Sequence, residues 1–162
     1  MLLPAFTTDE TLLCRAEAYT LLKQYEKAAA DIDAWQKAFT KNKVTLTKES
    51  INNFYAALDY YTPENIANPS VKKELHPDFV LEQGVQENLI HCILHARRIL
   101  TLEEGLRWQD VKRYGIVIYR RYFEGNTLVR ITDTMGVDDP RRAIQLPANV
   151  ITAGMKPNPR ND

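Results

Sequence analysis

Glu87, His91 and His95 fall at successive i+4 positions, which on a helix places one carboxylate and two imidazoles on a single face. Neutral imidazole and carboxylate are ordinary zinc ligands. The spacing is not that of His-Glu-x-x-His, however, and no fourth ligand is nominated. Both histidines flank an apolar stripe where a ring nitrogen can simply bond a neighbour, so no metal is expected. Other catalytic signatures are missing too: the six glycines form no phosphate-cradling loop, and Ser50 and Ser70 have no base at a motif spacing. The expectation is no enzyme and no cofactor, with a metal-dependent enzyme as the third-ranked reading.

A second constellation is cationic. Arg97, Arg98, Arg107 and Arg113 lie within one stretch that also holds Glu103, Glu104 and Asp110. Four guanidiniums could clamp an anionic substrate, because each presents a planar fork of donors. The alternative is a half-buried ion-pair network that fixes how two helices cross. Each Arg has an acid within helical reach, so the second reading is preferred: Glu103 and Glu104 reach Arg107 at i+4 and i+3, and Asp110 reaches Arg107 and Arg113. The residues assigned a structural role are Arg97, Arg98, Glu104, Gly105, Arg107, Trp108, Asp110 and Arg113.

What remains is binding. Apolar sugar faces stack on flat rings while amides and charged groups bond hydroxyls, so Tyr60, Tyr61 and Asn65, with Asn52 and Asn53 nearby, are the ligand-binding candidates. The two tyrosines could equally be helix-end aromatics that close the core.

The positioning elements follow from periodicity. Residues 8–41 read as a helical hairpin capped by Thr8 or Asp9, with a turn at Lys23-Gln24-Tyr25. Leu12, Ala16, Tyr19, Ala28 and Ile32 have the spacing of one tetratricopeptide repeat, and Trp35 and Phe39 continue its apolar face. Thr47 caps a helix through Tyr60 whose stripe is Ile51, Phe54, Tyr55 and Leu58, and an irregular insert follows to residue 80. Across 85–115, Leu89, Ile93, Ala96 and Leu100 form one buried face, and a second helix beyond Gly105 buries Trp108, Val111 and Tyr114. Strand-favouring types at 116–122 and 128–131 flank Glu124-Gly125-Asn126 and predict a β-hairpin over 116–132. Residues 133–162, rich in proline, are expected to be irregular.

The run His95-Ala96-Arg97-Arg98, followed by Glu104-Gly105-Leu106-Arg107-Trp108-Gln109-Asp110-Val111-Lys112-Arg113, resembles the C-terminal signature of the SusD/RagB family of outer-membrane nutrient-binding lipoproteins. Members usually read His-Glu-Arg-Arg, an acid two residues later, then Glu-Gly-x-Arg-aromatic-x-Asp-aliphatic-x-Arg. Ala96 and Leu100 stand where the family commonly has acids. The resemblance implies an all-α fold of tetratricopeptide-like hairpins, the C-terminal part of a superhelix, with a small β-hairpin and an irregular tail. It also implies capture of oligosaccharides or other nutrients at the outer-membrane surface and delivery to a SusC-like TonB-dependent transporter. The lipoprotein signal would lie in the part of such a protein not present here. The runner-up is a tetratricopeptide-type protein–protein interaction scaffold.

Composition sets outer bounds. The chain has 162 residues, 44% of them hydrophobic, which suffices for one domain with a core. Twenty-one basic and twenty-one acidic side chains cancel, which argues against nucleic-acid binding or a polybasic membrane anchor. Met1 to Phe6 is too short for a signal core, and no run approaches a membrane span. Cys14 and Cys92 are expected to be buried thiols rather than a disulfide. A lone repeat leaves one face bare, so self-association through the Phe6 to Tyr19 side is expected unless the Met1 to Thr7 segment folds back over it.

Overall fold

The computed structural model describes residues 7–67 and 69–160. In chain order these form α1 (Thr8–Leu21), α2 (Tyr25–Phe39), α3 (Lys48–Ala56), α4 (Val85–Leu100), α5 (Arg107–Arg113), β1 (Ile118–Glu124), β2 (Thr127–Met135), a 3-10 turn (Pro140–Arg142) and α6 (Ala148–Thr152). The protein is helix-rich but not strictly all-α, because β1 and β2 pair as a small antiparallel sheet.

The cap of α1 is Thr7, one residue earlier than expected: its hydroxyl accepts the Glu10 amide at 3.1 Å. The buried face is Leu13, Ala16, Glu17 and Thr20, rotated from the Leu12–Ala16–Tyr19 expectation, and Leu12 and Tyr19 sit at its margins. Lys23, at φ +60, turns the chain into α2, whose Ala28 and Ala29 share one buried cluster with Ala16. Small side chains there let the two helices approach closely. Arg15 and Asp31 clasp across the hairpin through two hydrogen bonds of 2.8 Å.

A reciprocal box between Thr47 and Ser50 starts α3, which ends at Ala56 rather than at Tyr60. Ile51 and Tyr55 are buried, whereas Phe54 is 57% exposed and does not belong to the inward stripe. No helix or strand occupies the described residues from 57 to 84. This long segment is tied down by buried Lys72, whose ammonium donates to the Tyr55 carbonyl at 2.9 Å, and by the His76 amide bonded to the Tyr114 carbonyl at 2.8 Å.

The hub is α4. It buries Leu89, Ile90, Ile93, Leu94 and Ala96 and packs against α1, α2, α3 and α5. Leu100, expected in that stripe, is half-buried at its end. Glu103 (φ +67) and Gly105 (φ +76) break the helix before α5. Val111 and Tyr114 are buried as expected; Trp108 is only half-buried, because the first turn of a two-turn helix places it at the rim of the core. Just beyond, Gly115 at φ +58 lies so close to the His76 carbonyl that a Cβ there would overlap it.

The hairpin turns at Gly125 and Asn126 and carries two irregularities of register; β1 is shifted two residues later than the segment read from sequence, and β2 runs on to Met135. The tail is more ordered than expected. Arg142, 8% exposed, donates to the carbonyls of Val111, Ile116 and Gly136 and holds the 3-10 turn on the helical core. Met1 to Phe6 lies outside the described residues. Among those described on α1, no large apolar side chain is exposed; exposed ones such as Phe39, Val44, Phe54 and Ile99 lie elsewhere, so the bare face expected at Phe6 to Tyr19 is not found on the part described.

Candidate functional site

The arginines converge on a residue the sequence reading passed over. Glu17 Oε2 meets Arg97 Nη2 at 2.5 Å, while Oε1 accepts from Arg113 Nε at 2.9 Å and from the Tyr114 hydroxyl at 2.6 Å. Asp110 accepts from Arg97 and from Arg107, each at 3.3 Å. Burial by itself would push the Glu17 carboxyl up, but Arg97, Tyr114 and Arg113 together hold it below the usual range. For Asp110 the balance is reversed: burial outweighs Arg97 and Arg107, the Glu17 charge adds to it, and the carboxyl is raised.

Three expected pairings are thereby corrected. Asp110 does not hold Arg113, because three residues of helical rotation aim Arg113 at α1 and Glu17. Glu103 and Glu104 make no ion pair with Arg107 among the described residues; both are exposed in the turn at Gly105, where non-helical backbone removes the i+3 and i+4 geometry. Arg98 has no ion-pair partner among the described residues. Glu17, Arg97, Asp110 and Arg113 line a groove of about 420 Å3 together with Cys14 and Leu21. Glu17 gave no signal in the sequence, because an acid on an amphipathic helix reads as solvent-facing until its partners are brought up from other elements.

The ligand candidates are divided. Tyr60 donates to Glu87 at 2.7 Å, and burial followed by that carboxylate pushes its hydroxyl up to about 12. Its ring meets His91 edge-on at 6.3 Å, with the Lys72 ammonium 4.6 Å from its centre, so it packs on the margin of the core while the residue stays 37% exposed. Tyr61 turns the other way. Its half-buried ring lies 6.3 Å from Tyr119 of β1, with Lys73 over its face and Arg121 6.0 Å away. Asn65 is exposed in a turn closed by its amide to the Thr62 carbonyl, and Asn52 pairs with Asn88 at 2.9 Å.

His91 Nε2 lies 3.5 Å from Glu87 Oε1, and His95 Nδ1 lies 3.1 Å from the Tyr55 hydroxyl, so the two imidazoles are turned to different neighbours. Burial pushes His91 down to about 4 against the opposing pull of Glu87. Among the described residues, no three His, Cys, Asp or Glu side chains converge as a metal site would require. Both cysteines are unpaired. Cys14 is exposed, contrary to expectation, with Arg97 Nη2 3.3 Å from its sulfur, and burial pushes the half-buried Cys92 thiol up to about 12.

The chain matches no family model, no curated protein and no solved structure. No helix among the described residues is long and apolar enough to cross a membrane.

Proposed function

We propose that this chain is part of a cell-surface nutrient-binding lipoprotein of the SusD/RagB type, the C-terminal portion of a tetratricopeptide-like superhelix at the outer membrane. It captures oligosaccharides and passes them to a SusC-like TonB-dependent transporter. One observation carries the reading: Arg97, Arg107, Asp110 and Arg113, at the spacing that resembles that family's signature, gather with Glu17 into a single network that locks α4 and α5 onto the α1–α2 hairpin. The signature spacing thus has a physical purpose, which is to weld the last helices of a superhelix to the preceding repeat.

Of the three ligand candidates Tyr61 is favoured for the sugar contact, because its neighbour Tyr119 extends the aromatic surface, whereas the Tyr60 hydroxyl is already bonded. Calorimetric titration with a panel of neutral and acidic oligosaccharides tests the reading. Binding to at least one, weakened tenfold or more by Tyr61→Ala, is the expected result. A folded protein that binds none of them overturns it.

A second reading, a tetratricopeptide-type scaffold that grips a partner protein, is favoured by a largely apolar groove of about 570 Å3 between α2, α3 and α4, lined by Trp35, Phe54, Tyr55 and Ile99. Loss of a protein partner, but not of sugar binding, on Phe54→Ala would select it.

A further inference from the structure

The four signature arginines do not share one environment. Arg97 and Arg113 are paired with Glu17, and Arg97 and Arg107 share Asp110, but Arg98, at the next position of α4, pairs with neither of these acids. It lines a small recess between the C-terminal half of α4, the start of α5 and the segment around residues 71–75. Lys73, His95 and Arg107 line the same recess above a floor that includes Val71 and Ile116, and no carboxylate lines it. Asp110 touches Arg107 from the far side, and Glu74, beside Lys73, is turned toward His76 at 3.8 Å.

The positive groups repel one another. Burial, then Arg98, Arg107 and Arg121, pushes the Lys73 ammonium down to about 8. Burial, then Arg98 and Arg107, also lowers His95. The Arg107 guanidinium is disfavoured by burial and by Arg98, against the pull of Asp110. A folded protein rarely gathers like charges at a half-buried spot without a counter-charge, because the repulsion and desolvation both oppose folding. The donors also suit an oxyanion: two guanidinium forks, one ammonium, and a neutral His95 that carries its proton on Nε2 when Nδ1 accepts from Tyr55.

Size limits what enters. The recess has room for one water molecule at most, about 10 Å3, so a single oxygen of an oxyanion enters it while the rest of the group stays at its mouth. A second recess of about 20 Å3 opens beside it, lined by Lys73, Tyr61, Val117, Tyr119 and the Glu74 carboxylate. Lys73 is common to both. A ring fits inside neither recess, so it rests outside them against the tyrosines, with one oxyanion at Lys73, Arg98 and Arg107.

We propose that this recess binds the oxyanion, a carboxylate or sulfate ester, of an acidic oligosaccharide whose sugar ring rests against Tyr61 and Tyr119. The oligosaccharide part of this statement rests on the proposed function; the oxyanion part rests on the cation cluster alone.

Calorimetry and thermal melting at constant ionic strength test it with four probes: sodium sulfate, trigalacturonate, a sulfated galactose tetrasaccharide and neutral maltotriose. The parent protein is compared with Arg98→Gln and with Lys73→Gln/Arg98→Gln. Removing mutually repelling charges leaves these variants melting no lower than the parent, and Arg98→Gln, at an exposed position, serves alone if the double variant does not fold. The expected result is at least tenfold tighter binding of one acidic probe than of maltotriose, with the preference lost in the variants; which acidic probe wins tells carboxylate from sulfate ester. Sulfate stabilising the parent but not the variants, with no oligosaccharide bound, keeps the oxyanion site and sinks the nutrient-binding reading. Maltotriose binding as tightly as the acidic probes, or an acidic preference that survives both substitutions, overturns the inference and leaves that reading standing. Binding of none of the four overturns both.

Discussion

The hydroxyl of Tyr114 donates to Glu17 Oε1 over 2.6 Å, joining positions 97 residues apart. Through it α1 is tied to the segment after α5, and the same carboxylate receives Arg97 and Arg113. Glu17 and Asp110 therefore differ in energetic weight although both are buried acids on Arg97. Glu17→Gln removes the charge that compensates two guanidiniums and should cost about 3 to 5 kcal/mol, the range for breaking a buried pair. Asp110→Asn should cost clearly less, because the Asp110 carboxyl is held above its ordinary range and its ionised form is poorly compensated. Denaturant unfolding of both variants, with Glu64→Gln as an exposed control, decides the order. Equal losses for Glu17→Gln and Asp110→Asn would contradict it.

Gly115 should tolerate no side chain. Its φ of +58 already disfavours any other residue by about 1 to 2 kcal/mol, and an added Cβ would overlap the His76 carbonyl. Both effects act on one substitution, so Gly115→Ala is expected to lose at least about 2 kcal/mol of stability. Gly125→Ala, where φ is +57 and the space is open, shows the backbone effect alone. A Gly115→Ala loss no larger than that of Gly125→Ala would mean the approach to His76 is relaxed in solution.

Arg142 reaches the carbonyls of Val111, Ile116 and Gly136 from a position 8% exposed. Only a guanidinium spans all three. Arg142→Lys retains the charge but not the fork, and each unmade bond to a charged group is worth about 1.5 to 3 kcal/mol. The tail from Pro140 onward should then exchange its amides faster while α4 keeps its protection. Hydrogen exchange that is unchanged in the tail would show it is anchored by other contacts.

His91 gives the protein an acid limit. Its folded-state pKa is pushed to about 4 by burial, against an ordinary 6.5, so between those values the unfolded chain binds a proton that the folded chain does not. Stability from this group is complete above about pH 6.5 and is lost as pH falls toward 4. His91→Gln should flatten the melting temperature across that window relative to the parent. Parallel pH profiles in the two proteins would assign the acid limit to other groups.

The sequence by itself determined whatever a single element dictates to itself. The three-and-four spacing of Leu89, Ile93 and Ala96 marked the buried face of α4 because a helix repeats its facing every 3.6 residues. Thr47 announced a helix start because its hydroxyl needs only the amide of Ser50, three residues on. Turns at Lys23, Gly105 and Gly125 were legible from local backbone chemistry in the same way. The partner of Arg113 was not: pairing rules for one helix offered Asp110, but the carboxylate that takes it comes from α1, 96 positions away. The face of α1 was misplaced by the same blindness, since Glu17 reads as solvent-facing until Arg97, Arg113 and Tyr114 surround it. At the candidate site, Tyr60 and Tyr61 are neighbours of identical chemistry, and only tertiary packing sends one ring to Glu87 and His91 and the other to Tyr119. Lys73 gave no sequence signal at all, because what distinguishes it is the charge of Arg98 and Arg107 brought up from α4 and α5, and such electrostatics exist only once the chain has folded.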